Sequence, residues 1–290
     1  MKVNKHQLAL MAAMTIFGTI GIFRRYIPLP SGAVALARSA IGALLLLAAL
    51  LFRRQPLNGA AIRKNLPLLL LSGACLGFNW VLLFEAYKYT SVAVATLSYY
   101  MAPVFLILVA PFFFGERLTL KKGACAAVAL LGMVLVSGVL ETGVSNTAEL
   151  RGILMGLLAA VLYATIVIIN KGMHGISPLD KTVVQFGVSA VVLLPYVLLA
   201  EEVTLSLLTP TTTVLLLLVG VLHTGFAYAL YFGAVEKLRA GTVALFSYID
   251  PVLAVVLSAL VLKEPMTWLG AVGAALVLGA ALLGELLKDK

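Results

Sequence analysis

Charge is what this sequence has least of. Asp, Glu, Lys and Arg together make up 11% of its 290 residues, against about 25% in soluble globular chains. Apolar residues reach 62% and the mean hydropathy is +1.09, so too few polar side chains exist to cover a water-exposed core of that size. That excludes an ordinary soluble fold. Cysteine is scarce as well: Cys75 and Cys125 lie inside apolar runs without metal-ligand spacing and read as small apolar filler. The sequence has no phosphate-cradling loop, no metal-binding cluster and no nucleophile–base motif, so neither an enzyme nor a cofactor is expected. It also lacks a cleavable secretory signal, because the first apolar stretch is already long enough to span and reads as a retained helix.

What remains is a series of long apolar runs. A helix needs about 20 largely apolar residues to cross a bilayer, and ten stretches qualify, near 7–27, 32–52, 66–88, 91–114, 120–140, 151–170, 180–200, 212–235, 241–262 and 267–287. The connectors are short and carry the Pro, Gly and Asn, as in Pro28-Leu29-Pro30-Ser31-Gly32 and Gln55-Pro56-Leu57-Asn58-Gly59. None is long enough to be a soluble domain. The net charge of +9 does not read as a nucleic-acid surface, because the basic residues sit in small clusters between apolar runs. With the N-terminus in the cytoplasm, fifteen Lys and Arg fall on the cytoplasmic side and five opposite, Arg38 being inside a span. The positive-inside rule then places both termini in the cytoplasm.

The chain also repeats itself. Displacing residues 86–119 by 148 brings Ala86, Leu97, Tyr100, Pro103, Val104, Glu116 and Thr119 onto Ala234, Leu245, Tyr248, Pro251, Val252, Glu264 and Thr267. Each half, 1–145 and 146–290, contains five spans. An odd number of spans makes the second half enter from the opposite face, an arrangement that in secondary transporters puts the solute site near the midplane between halves. The predicted fold is therefore an all-α membrane protein with ten transmembrane helices in two inverted five-helix repeats.

At Ala86-Tyr87-Lys88-Tyr89-Thr90-Ser91, the Pro103 span and Gly115-Glu116-Arg117-Leu118-Thr119, the sequence resembles the EamA-like ten-helix members of the drug/metabolite transporter superfamily. The second copy is Ala234-Val235-Glu236-Lys237-Leu238, the Pro251 span and Lys263-Glu264-Pro265-Met266-Thr267, with Lys263 where the family usually has glycine. The resemblance covers both halves. It implies a bundle in which the first four spans of each half surround a central cavity while the fifth and tenth sit outside. It also implies a carrier of small metabolites such as amino acids, amines, nucleosides, sugars or drugs, often exported, across a bacterial-type inner membrane.

Ionisable groups inside spans are costly and therefore candidates for function. Glu85 lies about one turn inside the non-cytoplasmic end of the third span, and Arg38 roughly 10 Å in from the same side on the second. Their depths predict either a structural ion pair or a coupling carboxylate tuned by the guanidinium. Asp250, beside Pro251 at the centre of the ninth span, reads as a second coupling carboxylate or as a partner for backbone freed by the proline. His223 is either a proton relay or a cross-helix hydrogen-bonding group. Asn79, Trp80, Tyr99, Tyr100, Tyr228 and Tyr248 supply the aromatic and amide groups of a solute cavity. Pro103 and Pro251 mark matched hinges. Arg24-Arg25 and Arg53-Arg54 read as membrane-edge anchors, with Arg24 at the mouth of an outer vestibule. Gly123, Gly132, Gly270, Gly273 and Gly279 give the fifth and tenth spans small faces, for the bundle or for a second subunit in a weak homodimer. The expected partners are a small-molecule solute, lipid and protons. Transport direction is not written in these residues, so an uptake permease stands beside an exporter, and a non-transporting scaffold is the remaining class.

Overall fold

The computed structural model describes residues 4–52, 54–115, 119–138, 140, 147–235 and 237–286. Glu116, Arg117, Leu118 and Glu236 of the two repeated motifs lie outside the described residues, as do Lys2, Arg53, Lys288 and Lys290 of the charge count. Everything regular among the described residues is helical. The α-helices are α1 (Lys5–Arg25), α2 (Ser31–Phe52), α3 (Gly59–Lys64), α4 (Leu66–Tyr89), α5 (Val92–Tyr99), α6 (Ala102–Phe114) and α7 (Leu120–Val136). They continue with α8 (Thr147–Lys171), α9 (Pro178–Ala200), α10 (Pro210–Gly220), α11 (Ala227–Val235), α12 (Ala240–Ser247), α13 (Ile249–Leu260) and α14 (Trp268–Leu286).

Local chemistry sets the boundaries. Asn4 and Gln7 form a capping box at α1, while Ser91, Thr119, Ser177 and Thr209 each accept a backbone N–H three residues on. Pro178 and Pro210 open α9 and α10, where a missing N–H costs nothing. Asn58 caps the short α3 inside a connector, a helix the composition gave no reason to expect. Among the described residues eight segments are long and apolar enough to cross a membrane. The other two predicted spans are α7, with 17 residues, and α14, with 19. Large side chains such as Leu44, Phe112, Leu131, Val191 and Leu217 face outward, as they do when the solvent is lipid. The protein is an all-α integral membrane protein.

The two halves are threaded in opposite directions. α1 ends at Arg25, which is bonded to the carbonyls of Tyr87 and Thr90, and α8 begins beside that same Thr90, against which Gly152 is pressed. The packing respects exchange of the halves. α4 lies along α8, and its mate is α11 along α1; α9 packs on α4, and its mate is the eighth segment on α2. The pair α5–α13 exchanges with α12–α6, while the pairs α2–α9 and α7–α14 map onto themselves. At the last of these, a Cβ on Gly132 would meet the Gly273 carbonyl at 2.8 Å, and one on Gly273 would meet the Gly132 carbonyl at 2.5 Å. Only glycine lets these two backbones approach so closely. Gly123 and Gly279 face open space, so of the predicted small faces only part is used inside the chain.

Three of the long apolar runs are not single straight helices. The fourth span breaks at Tyr100–Met101 between α5 and α6, and the ninth at Tyr248 between α12 and α13. These are the repeat-matched positions just ahead of Pro103 and Pro251. In the eighth span, Val221–Phe226 forms a π-helical turn between α10 and α11; the third span has no such turn. π turns interrupt α-helices mostly where function requires it.

Candidate substrate site and end gate

Arg38 is 4% exposed on α2, with its Cζ 3.8 Å from the centroid of the Trp80 ring on α4 and 5.4 Å from that of Phe84. Its Nε donates to Thr224 Oγ1 at 3.1 Å, and Thr224 Oγ1 in turn donates to the Val219 carbonyl at 3.0 Å across the π turn. Helices from both halves thus converge on one guanidinium. The predicted pairing of Arg38 with Glu85 does not occur. Glu85 bonds Lys88 Nζ and Ser31 Oγ, each at 2.7 Å, at the end of α4. Arg38 stacks on Trp80, five residues and so roughly 7 Å deeper than Glu85, so the two depths, expected to be similar enough for long side chains to meet, are too far apart for it.

Asp250 accepts a hydrogen bond from Tyr100 OH at 2.8 Å, which joins the two broken spans. Tyr100 lies 6.2 Å from Tyr248 and 6.0 Å from Tyr99, whose ring meets Tyr163 of α8 at 5.6 Å. Tyr228 packs against Phe17 and Phe186 at 5.0 and 5.1 Å. Tyr99 and Tyr228 both lie within electrostatic reach of Arg38 and of Asp250, so the two ionisable groups share one aromatic-walled neighbourhood. His223 is fully buried, with Nε2 2.9 Å from Thr19 Oγ1 and Nδ1 3.2 Å from the Leu218 carbonyl. The Thr19 contact is a cross-helix hydrogen bond between α1 and the π turn. Asn79 donates to the Ala159 carbonyl at 2.6 Å and so fastens α4 to α8.

A second polar cluster closes one end of the bundle. Glu264, just past α13, accepts from the Val92 N–H at 2.8 Å, from Ser258 Oγ and from Arg25, which also donates to the Tyr87 and Thr90 carbonyls. Glu201, following α9, accepts from the Gly32 and Ala33 N–H groups at 2.8 and 2.9 Å. Two carboxylates of the second half therefore sit on helix N-termini of the first, where backbone donors and the helix dipole favour an anion. Arg24 is no membrane-edge anchor: it is 4% exposed and donates to the Ile27 carbonyl at 2.7 Å and to Ser31 Oγ at 2.9 Å. It lines a pocket of ≈ 210 Å³ with Arg25, Phe84, Tyr87 and Lys88. The opposite end is joined differently, with Asn65 donating to the His174 carbonyl at 3.1 Å and accepting from its N–H at 3.3 Å, and it is the α5–α13 closure that is one-sided. α5 packs on α13 at the Glu264 end, whereas among the described residues no comparable packing joins α6 to α12 at the other.

Sequence reasoning missed Thr224, Thr19, Ser258, Glu201 and the linking role of Glu264. Hydroxyls within apolar runs and acids just past a span were signals in view, but their partners are about 170 to 240 residues away.

Oppositely threaded halves around a polar, aromatic-walled centre are a build that secondary transporters share. The sequence model of the EamA-like transporter family matches residues 4–138 and again 150–284, and the chain belongs to that family. It is 30% identical to the "Uncharacterized transporter YxxF" of Bacillus subtilis (strain 168) over 86% of this chain and 79% of that protein. It is also 29% identical to a "Probable amino-acid metabolite efflux pump" of Salmonella typhimurium over 74% of this chain and 76% of the relative. A solved structure with 21% sequence identity has the same fold, with a TM-score of 0.68 over 95% of this chain and 94% of its own.

Proposed function

We propose that this transporter is a secondary carrier that exports a small metabolite of the amino-acid or amine class across the cytoplasmic membrane by alternating access. The observation that carries the reading is the one-sided closure around a shared polar centre. α5 and α13 are latched through Glu264 at one end, while among the described residues no comparable packing joins α6 to α12 at the other. Residues 1–145 and 146–290 are the two moving units, and exchanging their roles produces the opposite facing. The excess of Lys and Arg on the other side from the latch supports cytoplasmic termini, so the latched end faces outward and this conformation is open to the cytoplasm. Export draws its support from the Salmonella relative's name. Asp250 is the coupling carboxylate of this scheme, and Pro103 and Pro251 mark its hinges.

Flux in proteoliposomes tests the proposal. A carrier gives saturable uptake into inside-out vesicles and acceleration by solute on the opposite side. Linear flux would mark a channel, and no flux for any metabolite of the class would mark a scaffold.

A further inference from the structure

We propose that Arg38 is the docking cation for a carboxylate group of the transported solute, with Trp80 and Thr224 holding the guanidinium ready for it. The proposal deepens the carrier reading and rests on it. Arg38 is the sole Lys or Arg in the interior of the eight spanning segments; the others on those segments lie near their ends. The Nη groups of Arg24 are taken up by the Ile27 carbonyl and Ser31, its Nε being left without a partner, and Arg25 is taken up by the Tyr87 and Thr90 carbonyls and Glu264. Arg38 is different. Among the described residues no carboxylate lies within ion-pair distance of it, and its two Nη groups donate to nothing. A buried, unpaired charge is costly and persists where a partner arrives during function.

The geometry says what that partner is. Trp80 covers the flat face of the guanidinium and Thr224 occupies Nε, which leaves the forked edge of Nη1 and Nη2 unspent. Two parallel N–H groups match the two oxygens of a carboxylate. A phosphate ester carries nearly two charges and calls for a second cation, and the span interiors hold none. Asp250 offers one carboxylate oxygen to Tyr100 and, among the described residues, pairs with no cation, so a solute bearing an ammonium group beyond its carboxylate has a second pole to meet.

Trp80 itself reports the test. The other tryptophan, Trp268, is 73% exposed, and Trp268→Phe leaves Trp80 as the single fluorophore. The purified protein in detergent is titrated with the standard L-amino acids and with straight-chain mono- and dicarboxylates, each beside its amide, and with inorganic phosphate. At least one carboxylate should shift Trp80 emission saturably while its amide binds on the order of a hundredfold more weakly. That comparison uses unaltered Arg38 and does not depend on a variant folding. Arg38→Gln should abolish the difference between acid and amide, and Arg38→Lys should restore only part of it. Amides binding as well as acids, phosphate binding better than every carboxylate, or no response across the panel would each overturn the proposal. Carboxylate binding through Arg38 without saturable vesicle flux would sink the carrier reading and leave the docking assignment standing. Flux with an acid preference unaltered in Arg38→Gln would do the reverse.

Discussion

Asp250 and Glu85 are both carboxylates on spanning segments, and the fold gives them very different company. Glu85 is held by Lys88 and Ser31 at the closed end, with its side chain 24% exposed. Asp250 is held by a single neutral donor, Tyr100, where the two broken spans meet. A carboxylate already paired with an ammonium has little reason to take up and release a proton during transport, whereas one bonded to a phenol at the junction of the halves has. Asp250→Asn is therefore expected to flatten the pH dependence of vesicle flux, while Glu85→Gln keeps the parent profile; the reverse pattern would move coupling to Glu85. Both residues were legible as candidates because an ionisable group in an apolar run stands out. Their partners were not, because Ser31 and Tyr100 are unremarkable in sequence and acquire meaning only through packing.

At the scale of elements, the one-sided closure rests on a carboxylate capping a foreign helix. Glu264 engages the first N–H of α5 together with Ser258 and Arg25. Hydrogen bonds to a charged group contribute about 1.5–3 kcal/mol each, and Arg25, about a third exposed, adds less. Glu264→Gln should thus shift the population toward the opposite facing by roughly tenfold or more. A cysteine placed at Ala93, in a background without Cys75 and Cys125, reads this as faster labelling by an impermeant maleimide from outside. Labelling at the parent rate would show that the latch does not hold the gate. The matched breaks make a companion prediction. Pro103 lies at the start of α6, where a proline is tolerated, so Pro103→Ala should let α5 and α6 join into one stiffer helix. Turnover is expected to fall severalfold with thermal stability unchanged or higher; unchanged turnover would remove the hinge. The breaks were readable because both halves carry the same proline, but the π turn in the eighth span was not. Within it the side chains of His223 and Thr224 bond carbonyls five residues back, and no periodicity in Val221–Phe226 announces them.

The molecule as a whole is organised by its pseudo-two-fold relation, and the α7–α14 crossing is where that relation is tightest. Gly132→Leu or Gly273→Leu should each lower stability by about 1–3 kcal/mol, seen as a drop in apparent melting temperature in detergent, because each backbone blocks the other's new side chain. Gly123→Leu and Gly279→Leu meet open space and should leave it alone. Equal effects at all four positions would mean that a second subunit covers the outer face.

The amino-acid sequence by itself determined the solvent, the helical class and the doubling of the chain. Each of these follows from sums or periodicities that every residue contributes to: apolar content, run length and a 148-residue echo. Tertiary structure alone decided which polar groups meet. Arg38 found Trp80 and Thr224 instead of Glu85, and Glu264 found the start of α5. In lipid a buried polar group must take whatever partner the helix crossing brings within about 3 Å, and a shift of one turn along a helix, 5.4 Å, is enough to exchange one partner for another.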